Sequence, residues 1–184
     1  MIRLGVSFAA GFLCGAAVIW LNLRDRNTHP QATESETARI HCTVQWVMDG
    51  DSLQCAENAA RVRLLLIDSP ERGQTEFHDA ARNYLAQLLP PGSTAALEID
   101  VEPRDMYGRI LAYVWLGDGR MANEELVRAG LALAFPYKGV NVRYLPRIVA
   151  AQRRAQEQQA GFWENGPITC TPQQFRHKKC AGFQ

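Results

Sequence analysis

Four carboxylates fall in two short stretches of the chain: Asp49 and Asp51 on either side of Gly50, and Asp68 and Glu71 on either side of Ser69-Pro70. Gathered at the ends of neighbouring strands, they would repel one another unless a cation sat among them. No Cys–His cluster adjoins them. The donors on offer are therefore oxygens, which match a hard cation such as Ca²⁺ or Mg²⁺. An Asp-Gly-Asp string by itself is an ordinary turn. Arg63 precedes Asp68 by five residues, an odd separation that sets the two side chains on opposite faces of a regular strand. A bulge or a curved barrel strand would bring both to one rim, and spacing does not decide between these. Arg109 follows Gly108 at the entrance to an apolar run, from which a side chain can point into a cleft. Taken singly, each arginine is an ordinary surface or ion-pair residue.

These residues need a scaffold, and the apolar patterning supplies one. Thr43–Met48 and Ser52–Cys55 flank Asp49-Gly50, a strong hairpin signal. A turn over residues 57–60 leads into Val62-Arg63-Leu64-Leu65-Leu66-Ile67, which reads as a buried strand stopped by Ser69-Pro70. Residues 76–89 place Phe77, Ala80, Ala81, Tyr84 and Leu88 on one helical face, and Pro90-Pro91-Gly92 ends that helix. Residues 94–101 and 109–116 read as two further strands. Asn123 is expected to cap a short helix through Ala129, with Gly130 as its stop. Residues 143–160 form a longer helix, with Leu145, Ile148, Val149 and Ala155 facing inward. About five short strands with three helices make an α+β, mainly β architecture: a small five-stranded barrel of the OB type decorated by helices.

The ends of the chain read differently. Leu4 to Leu23 carries no charge over twenty residues, enough for a helix to span the hydrocarbon core of a bilayer. Arg3 precedes it, Arg24 and Arg26 follow, and Trp20 stands where an interfacial aromatic is favourable. A signal-anchor is preferred over a cleaved signal peptide for residues 1–24, because the run exceeds a typical h-region and no A-x-A site directly follows. Gly11 and Gly15 form a G-x-x-x-G face suited to weak helix pairing. Residues 25–39 are polar and read as a linker. That leaves residues 40–165 as one domain and 166–184 as a C-terminal tail.

Across 184 residues the chain has 20 Lys+Arg and 19 Asp+Glu, which excludes a strongly cationic coat protein for nucleic acid. The charge is unevenly spread. Residues 39–137 hold nine basic and fourteen acidic side chains, and residues 138–184 hold eight and two. A basic helix beside an acidic centre suits a polyanion held next to a metal ion, or is a solvated face carried by Arg143, Arg147 and Arg154. Cys42 and Cys55 sit on the two arms of the hairpin, and Cys170 and Cys180 could close a loop in the tail. Two such pairs beyond an export segment favour an oxidising compartment, a bacterial periplasm or cell surface, with secretion as the alternative.

Four blocks then line up in order. They are Val47-Met48-Asp49-Gly50-Asp51-Ser52-Leu53; Arg63-Leu64-Leu65-Leu66-Ile67-Asp68-Ser69-Pro70-Glu71; Asp105-Met106-Tyr107-Gly108-Arg109-Ile110-Leu111-Ala112-Tyr113-Val114; and Asn123-Glu124-Glu125-Leu126-Val127-Arg128-Ala129-Gly130-Leu131-Ala132. Together they resemble the staphylococcal nuclease-like (thermonuclease) family, from about residue 41 to Trp163. The resemblance implies a five-stranded OB-type barrel with three helices and a Ca²⁺-dependent endonuclease acting on DNA or RNA and leaving 3′-phosphate ends. By position, Asp51 and Asp68 look like direct calcium carboxylates, the Ser69 carbonyl a further ligand, and Asp49 an outer-shell group acting through water. Arg63 and Arg109 look like the phosphate-gripping arginines, Glu71 like the proposed general base, and Tyr107 and Tyr137 like tyrosines of the nucleotide pocket. The chain departs from the family in four places: Ser69 stands for a threonine and Met106 for a lysine, the segment at Phe135-Pro136-Tyr137 is one residue shorter, and the loop after Glu71 is much shorter. The rival expectations are a catalytically weak module that binds nucleic acid or protein, and a membrane-anchored scaffold.

Overall fold

The computed structural model describes residues 39–181. The expected membrane segment at residues 4–23, with Gly11 and Gly15, lies outside the described residues. Among the described residues no helix is long and apolar enough to cross a membrane.

Strand β1 (Arg39–Asp49) is long because it serves two neighbours. Its first half pairs with β5 (Thr94–Glu98), in register from Arg39 opposite Glu98 to Thr43 opposite Thr94. Its second half pairs with β2 (Ser52–Cys55), from Val44 opposite Cys55 to Asp49 opposite Ser52. Register shifts after Val44 and after Val47 let one strand curve between the two partners. Strand β3 (Arg61–Leu64) pairs antiparallel with β2 and parallel with β6 (Ile110–Trp115). β6 returns to β5 and closes a five-stranded barrel in the order β1-β2-β3-β6-β5. The linker reading of residues 25–39 therefore runs one residue into β1. Val44, Leu53, Val62, Leu64, Leu97 and Val114 fill the interior, all nearly inaccessible to solvent. A Cys42–Cys55 disulfide clamps β1 to β2.

The apolar run after Arg61 is not one strand. β3 stops at Leu64, Leu65 and Leu66 turn, and a two-residue strand β4 (Ile67–Asp68) pairs with β7 (Leu133–Ala134) outside the barrel. Leu66 takes φ +63°, which is costly for a leucine and must be held by its surroundings. The holding group is Asn123. Its side-chain amide donates to the Leu65 carbonyl at 2.8 Å and its oxygen accepts from the Val114 N–H at 2.9 Å. Asn123 is thus not a helix cap: it lies fully buried inside α2 (Ala122–Arg128), whose cap position is Met121.

Helix α1 (Phe77–Leu88) buries His78, Ala81 and Leu85, a face turned from the one expected; Ala80 is exposed. A polar residue takes an inward position because Asp49 is there to meet it. Helix α3 (Leu145–Glu157) buries Ile148, Ala151 and Ala155 and leaves Val149 exposed. Gly130 ends α2 with φ +67° and packs so closely on the chain beyond α3 that an added Cβ would lie 1.9 Å from the Ala160 carbonyl oxygen. The tail holds a fourth, unexpected short helix, α4 (Pro172–Arg176). In the basic C-terminal part, Arg143 pairs with Glu98 and Asp100 at the end of β5, Arg147 pairs with Glu124 of α2 and lies over Trp115, and Arg153 faces Glu157 on its own helix, so part of that charge is met by acidic groups of the fold.

Candidate active site

The hairpin between β1 and β2 carries Asp49 and Asp51 at its tip. Gly50 is required there for space: a Cβ on it would lie 2.6 Å from the Ala81 Cβ and 2.7 Å from the Ser69 Cβ. That close approach sets the hairpin against both α1 and the turn after β4. Ser69 donates its backbone N–H to Asp51 Oδ2 at 3.0 Å. Gly50 donates its N–H to Asp49 Oδ1 at 2.8 Å, and the same oxygen lies 3.2 Å from His78 Nε2.

The break at Leu65-Leu66 decides where Arg63 and Asp68 meet. A straight strand would hold them on opposite faces. The turn reverses that, and one nitrogen of Arg63, Nη2, lies 3.1 Å from Asp51 Oδ2 and 3.3 Å from Asp68 Oδ1. Its other nitrogen, Nη1, donates to the Leu64 carbonyl at 2.6 Å. Asp51 and Asp68 are both buried. Burial raises the Asp68 carboxyl above its ordinary value, against the opposing pull of Arg176 and Arg63. Burial likewise raises Asp49, helped by the charges of Asp51 and Glu71 and opposed by the Gly50 N–H and His78.

A residue that sequence reasoning missed completes the cluster. Arg176, at the end of α4, grips both oxygens of Asp68 at 2.9 Å and reaches Glu71 Oε1 at 2.5 Å. A T-x-x-Q capping box starts its helix: Gln174 donates its backbone N–H to the Thr171 hydroxyl, and the Thr171 N–H donates back to the Gln174 side chain. That signal is visible in the sequence. The contact across 108 positions is not.

Arg109 is held apart from this cluster. Its Nε donates to Asp105 Oδ2 at 2.6 Å, and Asp105 Oδ1 also accepts the backbone N–H groups of Arg109 and Tyr107. Arg109 stands immediately before β6, the parallel neighbour of the strand that carries Arg63. The Arg109 guanidinium lies 5.6 Å from the Tyr107 ring centre. Tyr137 packs on Phe135 and carries Lys138 over its ring. Both tyrosines are exposed.

Among the described residues, the one trio of ligating atoms within 4.8 Å of one another is Cys42, Cys55 and Glu57, and its two sulfurs are joined in the disulfide. The Asp51, Asp68 and Glu71 carboxylates are more open than that. They are nonetheless a fit for a hard cation: every donor is an oxygen, two of the three carboxylates are buried, and the cluster already draws in two guanidinium groups. An oxygen-lined, cation-seeking mouth beside Arg63 can hold a phosphodiester and a water molecule together.

Known proteins share this chain's pattern. A family model described as staphylococcal nuclease homologue matches residues 61–165, more than half of the chain. The chain is 40% identical to the thermonuclease of Staphylococcus intermedius over 128 residues, covering 66% of this chain and 74% of the relative. It is 32% identical to an uncharacterized endonuclease of Escherichia coli over 145 residues, covering 77% of this chain and 88% of the relative. It is 30% identical to endonuclease YhcR of Bacillus subtilis over 174 residues, where it covers 86% of this chain but only 14% of that much longer protein.

Proposed function

We propose that this chain, which belongs to the staphylococcal nuclease family, is a Ca²⁺-dependent endonuclease that cuts DNA or RNA and leaves 3′-phosphate ends. Its membership supports a nuclease acting on nucleic acid. One observation carries the finer reading: Arg63 lies within 3.3 Å of both Asp51 and Asp68, at a mouth that also holds Glu71.

In this reading Asp51, Asp68 and the Ser69 carbonyl would hold the calcium, with Asp49 beside them through water. The bound ion would supply positive charge to offset the phosphate's own repulsion of a nucleophile. The protein's residues do the rest. Arg63 and Arg109 donate to the phosphate oxygens, a geometry that a planar guanidinium matches and an ammonium does not. Their fixed positive charge stabilises the additional negative charge of five-coordinate phosphorus. Glu71 accepts a proton from the attacking water, the new P–O bond forms, and the bond to the 5′-oxygen breaks, that oxygen taking a proton from solvent to leave as a hydroxyl. Tyr107 and Tyr137 offer exposed rings on which the nucleotide can rest. The disulfide pairs Cys42–Cys55 and Cys170–Cys180 support an oxidising compartment, and the uncharged run at residues 4–23 supports attachment to a membrane facing it.

The test is cleavage of single-stranded DNA and of RNA by the full chain, with calcium and with a calcium chelator, followed by mapping of the ends. Chelator-sensitive cutting that leaves 3′-phosphate and 5′-hydroxyl ends is expected. Binding without cutting would favour the weak module instead.

A further inference from the structure

We infer that the C-terminal strap, residues 170–180, is a built-in plug of the active site: Arg176 occupies the carboxylates of Asp68 and Glu71 and competes with calcium for them. The inference rests on the reading of Asp68 as a calcium ligand. With the strap seated, both Asp68 oxygens accept hydrogen bonds from Arg176 at 2.9 Å, and Glu71 Oε1 accepts one at 2.5 Å. A guanidinium seated on these oxygens stands where a metal ion or a water molecule would have to approach them. The ligand and the base are therefore blocked by one side chain.

The strap is built to be held near the site without being locked there. The Cys170–Cys180 disulfide closes it into a loop around α4. Gln74 fastens its start: the Gln74 side chain donates to the Cys170 carbonyl at 2.9 Å and accepts from the Glu71 backbone N–H at 3.0 Å. The anchor and the plugged base thus belong to one short loop. A cavity of about 370 Å³ opens beside the start of the strap, bordered by Pro70, Gln74, Phe77, Phe162, Cys170 and Pro172. The Arg176 side chain is itself 37% exposed, so water and ions reach it. Lifting the strap takes a partner from the buried Asp68 carboxylate, which a cation arriving in its place would replace. A tether of this kind raises the local concentration of the plug, which is how a weak contact can compete with a free ion.

The experiment is calcium titration calorimetry on the full chain in detergent, comparing the parent protein with Arg176→Ala, Arg176→Lys and the double variant Cys170→Ser/Cys180→Ser. A plug seated nine-tenths of the time lowers apparent affinity about tenfold, so Arg176→Ala should bind calcium about tenfold more tightly. Arg176→Lys, which keeps the charge and loses the fork, should fall between. The double-serine variant, its strap loosened, should also bind more tightly than the parent. Thermal melting of each variant confirms the fold. At limiting calcium the tighter variants should cut faster, and at saturating calcium all should cut equally. Equal or weaker calcium binding by Arg176→Ala overturns the plug and leaves the calcium reading standing. No calcium binding by any of the four, with chelator-insensitive cutting, overturns the calcium reading and the plug together.

Discussion

Glu98 and Asp68 are both carboxylates with 1% of their surface exposed, and both draw arginines, yet they are finished in different ways. Glu98 sits at the end of β5 among groups from the protein's own packed elements. It accepts from the Trp115 indole at 2.8 Å, the Tyr144 hydroxyl at 2.9 Å and Arg143 at 2.7 Å, with Arg39 at 3.4 Å. Next to it, Asp100 takes the Tyr113 hydroxyl at 2.8 Å, and that hydroxyl's pKa is driven up by burial and by Asp100. Edge-to-face contacts of Tyr144 with Tyr113 and Trp115 surround this region. Asp68 has one neighbour of that fixed kind, Arg63, and takes the remainder from a tethered strap. A buried charge satisfied by the body of the fold is structure, because removing any partner strands it. A buried charge whose partners include a tethered segment is where the proposed ligand site falls.

Four substitutions break or sharpen this contrast. The largest effect falls on the ligand side. Arg63→Lys should lower turnover by about 10²–10³-fold while substrate affinity changes little, as single-turnover cleavage set against equilibrium binding will show. Losses of equal size in both would make Arg63 a mere holder of substrate. Next is Asn123→Ala, which removes the amide that pins Leu65-Leu66. Two buried backbone groups lose their partner, so denaturant unfolding should show about 2–3 kcal/mol of destabilisation. Activity should fall as well, because the same turn brings Arg63 to Asp68. Full activity in the surviving folded protein would separate the turn from the site.

On the structural side, Glu98→Gln should cost about 2 kcal/mol in unfolding free energy and leave turnover unchanged. The loss is moderate because Arg39 and Arg143, both partly exposed, regain water. A drop in turnover would dissolve the distinction between the two regions. The smallest effect concerns Asp105. Burial raises its carboxyl, but the side-chain and backbone hydrogen bonds of Arg109 outweigh burial and hold it below its ordinary value of 3.8. A carboxylate depressed in the folded state contributes stability above the unfolded pKa and loses it as pH falls through the folded one. Asp105→Asn should therefore cost a few tenths of a kcal/mol at neutral pH, modest because the pair is solvent-screened. The difference should begin to shrink in melting curves as pH falls through 3.8 and vanish only below the depressed folded value.

Legibility followed the range of the interactions. The hairpin at Asp49-Gly50, the helix ended by Pro90-Pro91 and the strand at residues 110–115 were readable because turn chemistry and periodicity act within a few residues. The inward face of α1 was read one step off, since apolar counting cannot foresee a His78 drawn in by Asp49. Val149 was misplaced for a related reason: a short helix on a barrel buries a narrow stripe. Leu65-Leu66 looked like strand because leucine favours burial and says nothing about φ. The partner that holds its bend, Asn123, is 58 residues away.

The sequence by itself determined the set of chemical groups: oxygen donors without a sulfur–nitrogen cluster, two arginines, a barrel's worth of short apolar runs, and an uncharged stretch at residues 4–23. Those are properties of residue type and local order, and they survive without coordinates. Only the tertiary structure decided that Arg63 and Asp68 share a rim, that Arg109 is held on its own loop by Asp105, that Arg143 and Arg147 find acidic partners on β5 and α2, and that Arg176 seats on Asp68. Each of these is a meeting of side chains set by a bend, a register or a tether, and the energy that fixes it is supplied by groups distant in the chain.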